Sequence, residues 1–222
     1  MYEKSVLEIK EKAVEIQIDQ TAIDGNLVSP ETAAGIVLFA HGTGSSRFSP
    51  RNRFVSQVLH QHKLATLLVD LLTVLEESED MQTGHLRFNI PFLSERLVGV
   101  TEWIEKNPET SDLKIGYFGA STGAAAALMA SVEIGSLIKA IVSRGGRPDL
   151  ASDVLTEVQA PTLLIVGGYD LPVIEMNRQA FRKLNTEKKM VIIPNATHLF
   201  EESGALEEVA RHAQEWFTQY LR

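Results

Sequence analysis

Short apolar runs recur along the chain and alternate with longer amphipathic stretches. Two of these runs are Gly35–Ala40 (GIVLFA) and 162–166 (TLLIV), and neither has polar residues at every second position. Runs of this kind are typical of strands buried on both faces of a parallel sheet. The six runs cover residues 35–40, 65–71, 114–118, 138–143, 162–166 and 190–193. They predict a mostly parallel central sheet.

The segments around these runs complete the predicted fold. Residues 13–19 alternate between polar and apolar, and residues 23–29 are expected to pair back on them as an antiparallel strand. Amphipathic stretches predict helices at 51–63, 93–107, 122–134, 150–158, 172–184 and 204–221. This order indicates an α/β fold with helices on both faces of the sheet. We expect one domain over residues 1–222 without a large cap domain, and an irregular, solvated connection at 73–91.

Composition narrows the classes of function. Of the 222 residues, 44% are hydrophobic and 23% are charged, which is typical of a soluble globular domain. The formal net charge of −8 argues against nucleic acid as the main partner. The chain has no cysteine, so disulfides, thiolate metal sites and a cysteine nucleophile are excluded. We expect no metal and no cofactor.

Neither end of the chain nor its interior predicts a membrane segment. The first residues, MYEKSVLEIKEK, mix charges with single apolar residues and lack the apolar run of a signal peptide. No stretch reaches the roughly 18 apolar residues that a membrane helix needs. The sequence therefore predicts a cytoplasmic protein without a membrane partner.

The segment GYFGASTGAAAA contains the pattern G-x-S-x-G between a predicted strand and a predicted helix. In a nucleophile elbow, this pattern presents a serine on a sharp turn, and both glycines are needed for close packing. Gly119, Ser121 and Gly123 match it. The alternative is an ordinary strand-to-helix turn in which Ser121 caps the helix. The placement between strand and helix favours the elbow.

A phosphate-binding loop is the other chemistry that suits a glycine-rich turn. A Walker loop requires a lysine, and none lies between Lys114 and Lys139. A dinucleotide fingerprint requires G-x-G-x-x-G, but HGTGSSR has Arg47 in the third glycine position. Neither pattern is complete, so a nucleotide site is not predicted.

A nucleophilic serine needs a histidine base and an acid that orients it, in the chain order Ser, acid, His. His198 follows the last predicted strand, whereas His212 lies within a helix and is expected to be a surface residue. Asp170 follows the strand at 162–166 and is the predicted acid, although it could instead cap the next helix. The alternative is that His198 is not the base but a structural residue held by backbone groups. The other candidate acids are Asp149, Asp153 and Glu175.

An oxyanion hole needs two backbone N–H groups, one of them from the residue after the serine. Thr122 is that residue. The second donor is expected from the loop after the first central strand, His41-Gly42-Thr43-Gly44, with Thr43 or Gly44 as the donor. His41 is expected to support this loop rather than act as a base.

In these motifs the chain resembles the α/β-hydrolase superfamily, and most closely its dienelactone-hydrolase-like branch. The matching pieces are HG after the first central strand, GASTG, GGYD and NATH, in this order. The resemblance covers nearly the whole length and implies a Ser121–Asp170–His198 triad and esterase-type hydrolysis. True dienelactone hydrolases have cysteine at the elbow, whereas this chain has serine.

Three arginines fall at or near predicted strand ends on the side of the elbow. Arg47, Arg144 and Arg147 are candidate ligands for an acidic group on the substrate, because a guanidinium binds a carboxylate through two parallel hydrogen bonds. Ordinary solvent exposure is the alternative. The leading hypothesis is hydrolysis of a small ester or lactone. Acyl transfer or perhydrolysis by the same triad, and a non-catalytic binding protein, remain open.

Overall fold

The computed structural model describes residues 10–222. These residues form a single eight-stranded sheet with helices on both of its faces. The strands are β1 (Lys12–Ile18), β2 (Thr21–Val28), β3 (Gly35–Ala40), β4 (Leu64–Val69), β5 (Lys114–Ala120), β6 (Ile138–Arg144), β7 (Thr162–Gly167) and β8 (Lys188–Ile193). The helices are α1 (Pro50–Gln61), α2 (Val74–Thr83), α3 (Ile90–Lys106), α4 (Thr122–Ile134), α5 (Leu171–Lys183) and α6 (Ala205–Leu221).

The strand order is β1-β2-β4-β3-β5-β6-β7-β8. Strand β2 pairs antiparallel with both β1 and β4, and every pair from β4 through β3 to β8 is parallel. The predicted fold class is therefore confirmed, including the antiparallel strands at the amino-terminal side. Because the parallel strands point the same way, the loops after β3, β5, β6, β7 and β8 meet at one edge of the sheet.

Each face of the sheet carries its own layer of helices. Helices α1 and α6 cover one face, where Phe39 and Phe118 pack with Phe217 in a buried cluster. Helices α3 and α4 cover the other face, where Tyr117 packs against the alanine-rich side of α4. The central strands β3 and β4 are buried along their whole length, as their apolar runs predicted.

Two local predictions were wrong. Residues 73–91, expected to be an irregular loop, contain the helix α2, which begins with a capping box between Thr73 and Glu76. The acidic residues of this segment suggested a solvated loop, but a Thr three residues before a Glu is itself a helix-start signal. Residues 150–158, expected to be a helix, form two short 3₁₀ turns at Pro148–Ala151 and Leu155–Glu157.

The single-domain prediction covers residues 1–222, of which residues 1–9 lie outside the described part of the chain. Most of the segment MYEKSVLEIKEK, from which the lack of a signal peptide was predicted, also lies outside it. Within residues 10–222, no helix combines the length and the apolar composition needed to cross a membrane.

His60 should make the stability of this fold sensitive to acid. Its side chain is 9% exposed, and its Nε2 lies 2.7 Å from the Oγ1 of the buried Thr66. Burial lowers the pKa of His60 from 6.5 to about 4. The unfolded chain therefore binds a proton between these pH values while the folded chain does not, so the free energy of unfolding falls as the pH drops through this window.

We expect the free energy of unfolding to be about 2 kcal/mol lower at pH 5 than at pH 7 because of this one group. Urea unfolding of the wild type and of His60→Gln at both pH values measures the difference, with the exposed His85→Gln as the control. An equal loss in wild type and His60→Gln would show that His60 does not cause the acid sensitivity.

Candidate active site

Ser121 lies at the tip of a strained turn between β5 and α4. Its backbone has φ 51° and ψ −120°, a conformation that costs a residue with a side chain about 1–3 kcal/mol. Its N–H donates to the carbonyl of Arg144 at 3.2 Å, which ties the turn to the end of β6. The Ser121 side chain makes no capping hydrogen bond, although the residue occupies the N-cap position of α4. Its hydroxyl is therefore not used to cap the helix.

The two glycines of the G-x-S-x-G pattern lie where no side chain fits. A Cβ on Gly119 would lie 2.4 Å from the Cα of Ala124, and a Cβ on Gly123 would lie 2.3 Å from the carbonyl oxygen of Ala40. Both contacts involve backbone atoms, which cannot rotate away as a side chain would. The close approach of β3, β5 and α4 therefore depends on these two residues.

Gly123→Ala should destabilise the protein by about 3 kcal/mol, because overpacking against backbone forces the elbow apart. Urea unfolding measures the loss. Glu133→Ala, on the exposed side of the same helix, should change the stability by less than about 0.5 kcal/mol. A Gly123→Ala protein as stable as the wild type would contradict the close packing described for the elbow.

Asp170 and His198 form a hydrogen-bonded pair beside the elbow. The Nδ1 atom of His198 lies 2.6 Å from Oδ2 of Asp170, and their side chains are 39% and 13% exposed. Asp170 occupies the N-cap position of α5 but makes no capping hydrogen bond with its side chain. The two roles considered for Asp170 were capping of the helix and contact with the histidine. Its carboxylate contacts the histidine. With Nδ1 donating to Asp170, Nε2 of His198 is left as a proton acceptor.

Backbone hydrogen bonds hold the loops of this pair together. The N–H of Tyr169 donates to the carbonyl of Ala196 at 2.9 Å, and the Tyr169 hydroxyl donates to the side chain of Asn195 at the same distance. The His198 ring rests against Gly145, whose Cβ, if present, would lie 3.4 Å from Cε1 of the ring. The loops after β6, β7 and β8 thereby position one imidazole.

A carboxylate also braces the loop that carries the imidazole. Glu202 accepts hydrogen bonds from the backbone N–H of Thr197 at 3.1 Å and from its hydroxyl at 2.6 Å. These bonds close the turn that contains His198. Hydrogen bonds from Thr197 lower the pKa of Glu202, which keeps it ionised and able to accept them.

The loop after β3 lies against the serine. A Cβ on Gly42 would be 3.0 Å from Cβ of Ser121, so this loop and the elbow are in contact. The N–H of Thr43 donates to Oγ1 of Thr122 at 3.1 Å, and the two threonine hydroxyls are 3.0 Å apart. Gly44 follows with φ 69°. The three predicted oxyanion residues are thus brought together, with the Thr43 N–H bonded to the Thr122 hydroxyl.

His41 connects this loop to the end of β4. Its Nε2 accepts the N–H of Leu71 at 3.1 Å, so Nδ1 carries the proton and donates to the carbonyl of Gly42 at 2.9 Å. Burial lowers the pKa of His41, which favours this neutral form. The ring has both nitrogens occupied, in agreement with the supporting role expected for it.

A cavity of about 250 Å³ opens beside the oxyanion loop. Its floor is Thr122 and the 41–46 loop, and apolar walls come from Leu71, Leu72 and Leu93. Helix α2 and the segment after it supply Met81, Glu77, Asp80 and Arg87. The 73–91 segment therefore lines one side of this cavity, whose lining includes Thr122 but not Ser121 or His198.

Two of the three candidate arginines have carboxylate partners within the protein. Arg47 forms ion pairs with Asp70 and Asp24. Arg147 makes two hydrogen bonds to Asp149, of 2.9 and 2.8 Å, which raise the pKa of Arg147. Neither lines the cavity. Arg144 is buried. Substrate binding by these arginines stays a prediction.

Sequence reasoning missed Arg87, the one arginine that lines the cavity. Its guanidinium is paired with the carboxylate of the buried Asp80, and hydrogen bonds from Arg87 hold the pKa of Asp80 low despite its burial. The arginine lies outside every motif considered, and only the helix-start signal at Thr73 could have drawn attention to this segment. Within residues 10–222, no cluster of three or more metal-ligating side chains is present.

The chain is similar to known proteins in family, structure and sequence. A sequence model described as the Dienelactone hydrolase family matches residues 76–221. The crystal structure of a dienelactone hydrolase from Anabaena variabilis is 60% identical, with a TM-score of 0.95 over 96% of this chain and 99% of that chain. Est1E from Butyrivibrio proteoclasticus shares the fold, with a TM-score of 0.75 at 16% identity over 93% of this chain and 98% of its own.

A curated relative from Mycobacterium tuberculosis carries the provisional name phosphoribosyl transferase. It is 48% identical over 213 residues, which cover 96% of this chain but 47% of that protein. The chain thus spans about half the length of the curated relatives that it matches most fully.

Proposed function

Because the chain belongs to the dienelactone hydrolase family, we propose that it is a serine hydrolase that cleaves a small carboxylic ester or lactone. The observation that carries this proposal is the pairing of His198 Nδ1 with Asp170 at 2.6 Å next to a serine held at positive φ. We assign Ser121 as the nucleophile, His198 as the base and Asp170 as the acid that orients it.

The first half of the proposed reaction forms an acyl-enzyme. Nε2 of His198 takes the proton of the Ser121 hydroxyl as its oxygen attacks the carbonyl carbon of the ester. The negative charge that develops on the carbonyl oxygen is stabilised by the N–H of Thr122 and by an N–H from the Thr43–Gly44 turn. His198 then donates its proton to the leaving alkoxide, which departs as the alcohol.

The second half hydrolyses the acyl-enzyme. His198 removes a proton from water, whose oxygen attacks the acyl carbon, and the Ser121 oxygen leaves and regains a proton from His198. Throughout both halves, Asp170 accepts the hydrogen bond from Nδ1 of His198 and so holds the imidazole in one tautomer. For Thr43 to serve as the donor, its N–H must exchange the Thr122 hydroxyl for the carbonyl oxygen of the substrate. Gly44, next along the loop, is the alternative donor.

The size of the cavity supports a small substrate. Its volume of about 250 Å³ lies below the roughly 300–1,000 Å³ of pockets that hold drug-sized ligands. Its apolar walls suit a short acyl or alkyl group, while its floor is formed by the proposed oxyanion donors.

Covalent labelling with a fluorophosphonate probe tests the proposal most directly, because the probe reacts with an activated serine. We expect one equivalent of label on Ser121, located by peptide mass spectrometry, and no label on heat-denatured protein. A folded protein that takes up no label would favour the non-catalytic alternative.

Phosphoribosyl transfer is not proposed. The relative with that provisional name has more than half of its length outside the match with this chain.

A further inference from the structure

Arg144, the last residue of β6, is a buried cation for which the described residues supply no carboxylate partner. Its side chain turns toward α1, and the residue is 7% exposed. Its Nη2 lies 3.5 Å from Oδ1 of Asn52, a long hydrogen bond to a neutral group, and its guanidinium carbon lies 5.9 Å from the centre of the Phe200 ring. Its Nε is buried and has no hydrogen-bond partner among residues 10–222.

A second guanidinium lies close to the first. Arg51, in the first turn of α1, also has a buried Nε without a partner among the described residues, and its Nη1 is 3.1 Å from Glu201. Burial and the positive charge of Arg51 lower the pKa of Arg144 to about 10, which leaves the Arg144 guanidinium charged at neutral pH. The N-terminal end of the 12-residue helix α1 adds the positive end of its dipole.

We propose that Arg144, Arg51 and Asn52 form a binding site for a small oxyanion, between the end of β6 and the first turn of α1. A planar guanidinium binds the oxygens of phosphate or carboxylate through parallel N–H donors, and the two Nε–H groups are donors of this kind. A buried charge without a counter-charge costs several kcal/mol, and an anion between the two arginines removes most of this cost.

This site is separate from the cavity beside the oxyanion loop. Arg144, Arg51 and Asn52 do not line that cavity, and their contacts are with α1 and with Phe200. The side chain of Arg51 is 29% exposed, so a small anion can reach the pair from its side. The bound anion would lie near the base, because Phe200 is two residues after His198 and the Arg144 carbonyl accepts the N–H of Ser121.

Thermal unfolding of the full chain in inorganic phosphate tests this site without any measurement of activity. Ionic strength is held constant with sodium chloride, and calorimetric titration gives the dissociation constant. At roughly fivefold excess of phosphate over that constant, we expect the Tm of the wild type to rise by about 2–4 °C. The same titration with acetate shows whether a carboxylate is accepted as well as a phosphate.

Arg144→Met keeps an unbranched, apolar side-chain stem while removing the charged guanidinium, and we expect it to abolish the phosphate-dependent rise in Tm. Arg51→Met, at the more exposed position, should weaken the rise and provides the test if Arg144→Met does not fold. Arg178→Met removes an exposed charge on α5 and should leave the rise unchanged. A wild type whose Tm does not respond to phosphate, or an equal response in Arg144→Met or in a folded Arg51→Met, would overturn the proposal.

Discussion

Replacing Ser121 by alanine is expected to lower ester turnover by on the order of 10⁴-fold or more, because the proposed reaction loses its nucleophile. The measurement is kcat/KM for a small activated ester, such as p-nitrophenyl acetate, with the purified variant. Labelling by the fluorophosphonate probe should disappear together with turnover.

The fold should survive this substitution. The Ser121 side chain makes no capping hydrogen bond, and alanine removes only the hydroxyl from the turn. Alanine at a positive φ is somewhat less tolerated than serine, so circular dichroism and Tm are needed as controls. Ser131→Ala is a matched control, because Ser131 lies in α4 and its hydroxyl bonds only to the carbonyl of Leu128. Turnover by Ser121→Ala within about tenfold of the wild type would rule out the assigned nucleophile.

The second large effect is expected for Asp170→Asn, which should reduce kcat by roughly 10³–10⁴-fold. Asparagine keeps the size of the side chain, but its amide N–H can donate a hydrogen bond to Nδ1. This bond stabilises the wrong tautomer of His198. In that tautomer Nε2 carries the proton and cannot accept one from Ser121. Stopped-flow or steady-state measurement of kcat, together with the Tm, separates this effect from a loss of folded protein.

Asp149→Asn is the matched control for the acid. Asp149 follows β6 and was a competing candidate, but its carboxylate is bonded to Arg147 at 2.9 and 2.8 Å. We expect its replacement to change kcat by no more than a few-fold. If Asp149→Asn were more damaging to kcat than Asp170→Asn, the acid would belong to the loop after β6.

Much of the fold could be predicted from the sequence because its signals are local. A strand buried on both faces needs a continuous apolar run, so β3, β4 and β7 could be read directly from residues 35–40, 65–71 and 162–166. The elbow motif is equally compact in sequence, since Gly119, Ser121 and Gly123 lie within five consecutive residues, although the backbone that excludes a side chain at Gly123 belongs to β3. Chain order then placed Asp170 and His198 after the strands that bring them together.

The helix α2 shows where such reasoning failed and why. Its residues include exposed apolar side chains, such as Leu75 and Met81, and several acids, so no apolar face repeats with helical spacing. Its stability comes instead from its ends and from two ion pairs, Asp80 with Arg87 and Glu76 with Arg96, the second between residues 20 positions apart in the chain. Periodicity cannot reveal a helix that depends on a distant partner.

By itself, the sequence determined the order of the strands, most of the helices and the G-x-S-x-G turn, because each of these leaves a signal within a few neighbouring positions. Only the tertiary structure decided which partners the charged side chains contact. Three arginines looked equivalent from their place at strand ends, yet Arg47 and Arg147 meet carboxylates and Arg144 does not. Asp170 could cap a helix or orient a base, and the return of the chain after β8 brings His198 to it. The physical reason is that an electrostatic or hydrogen-bond partner is chosen by distance in space, and the sheet joins residues that are far apart in the chain.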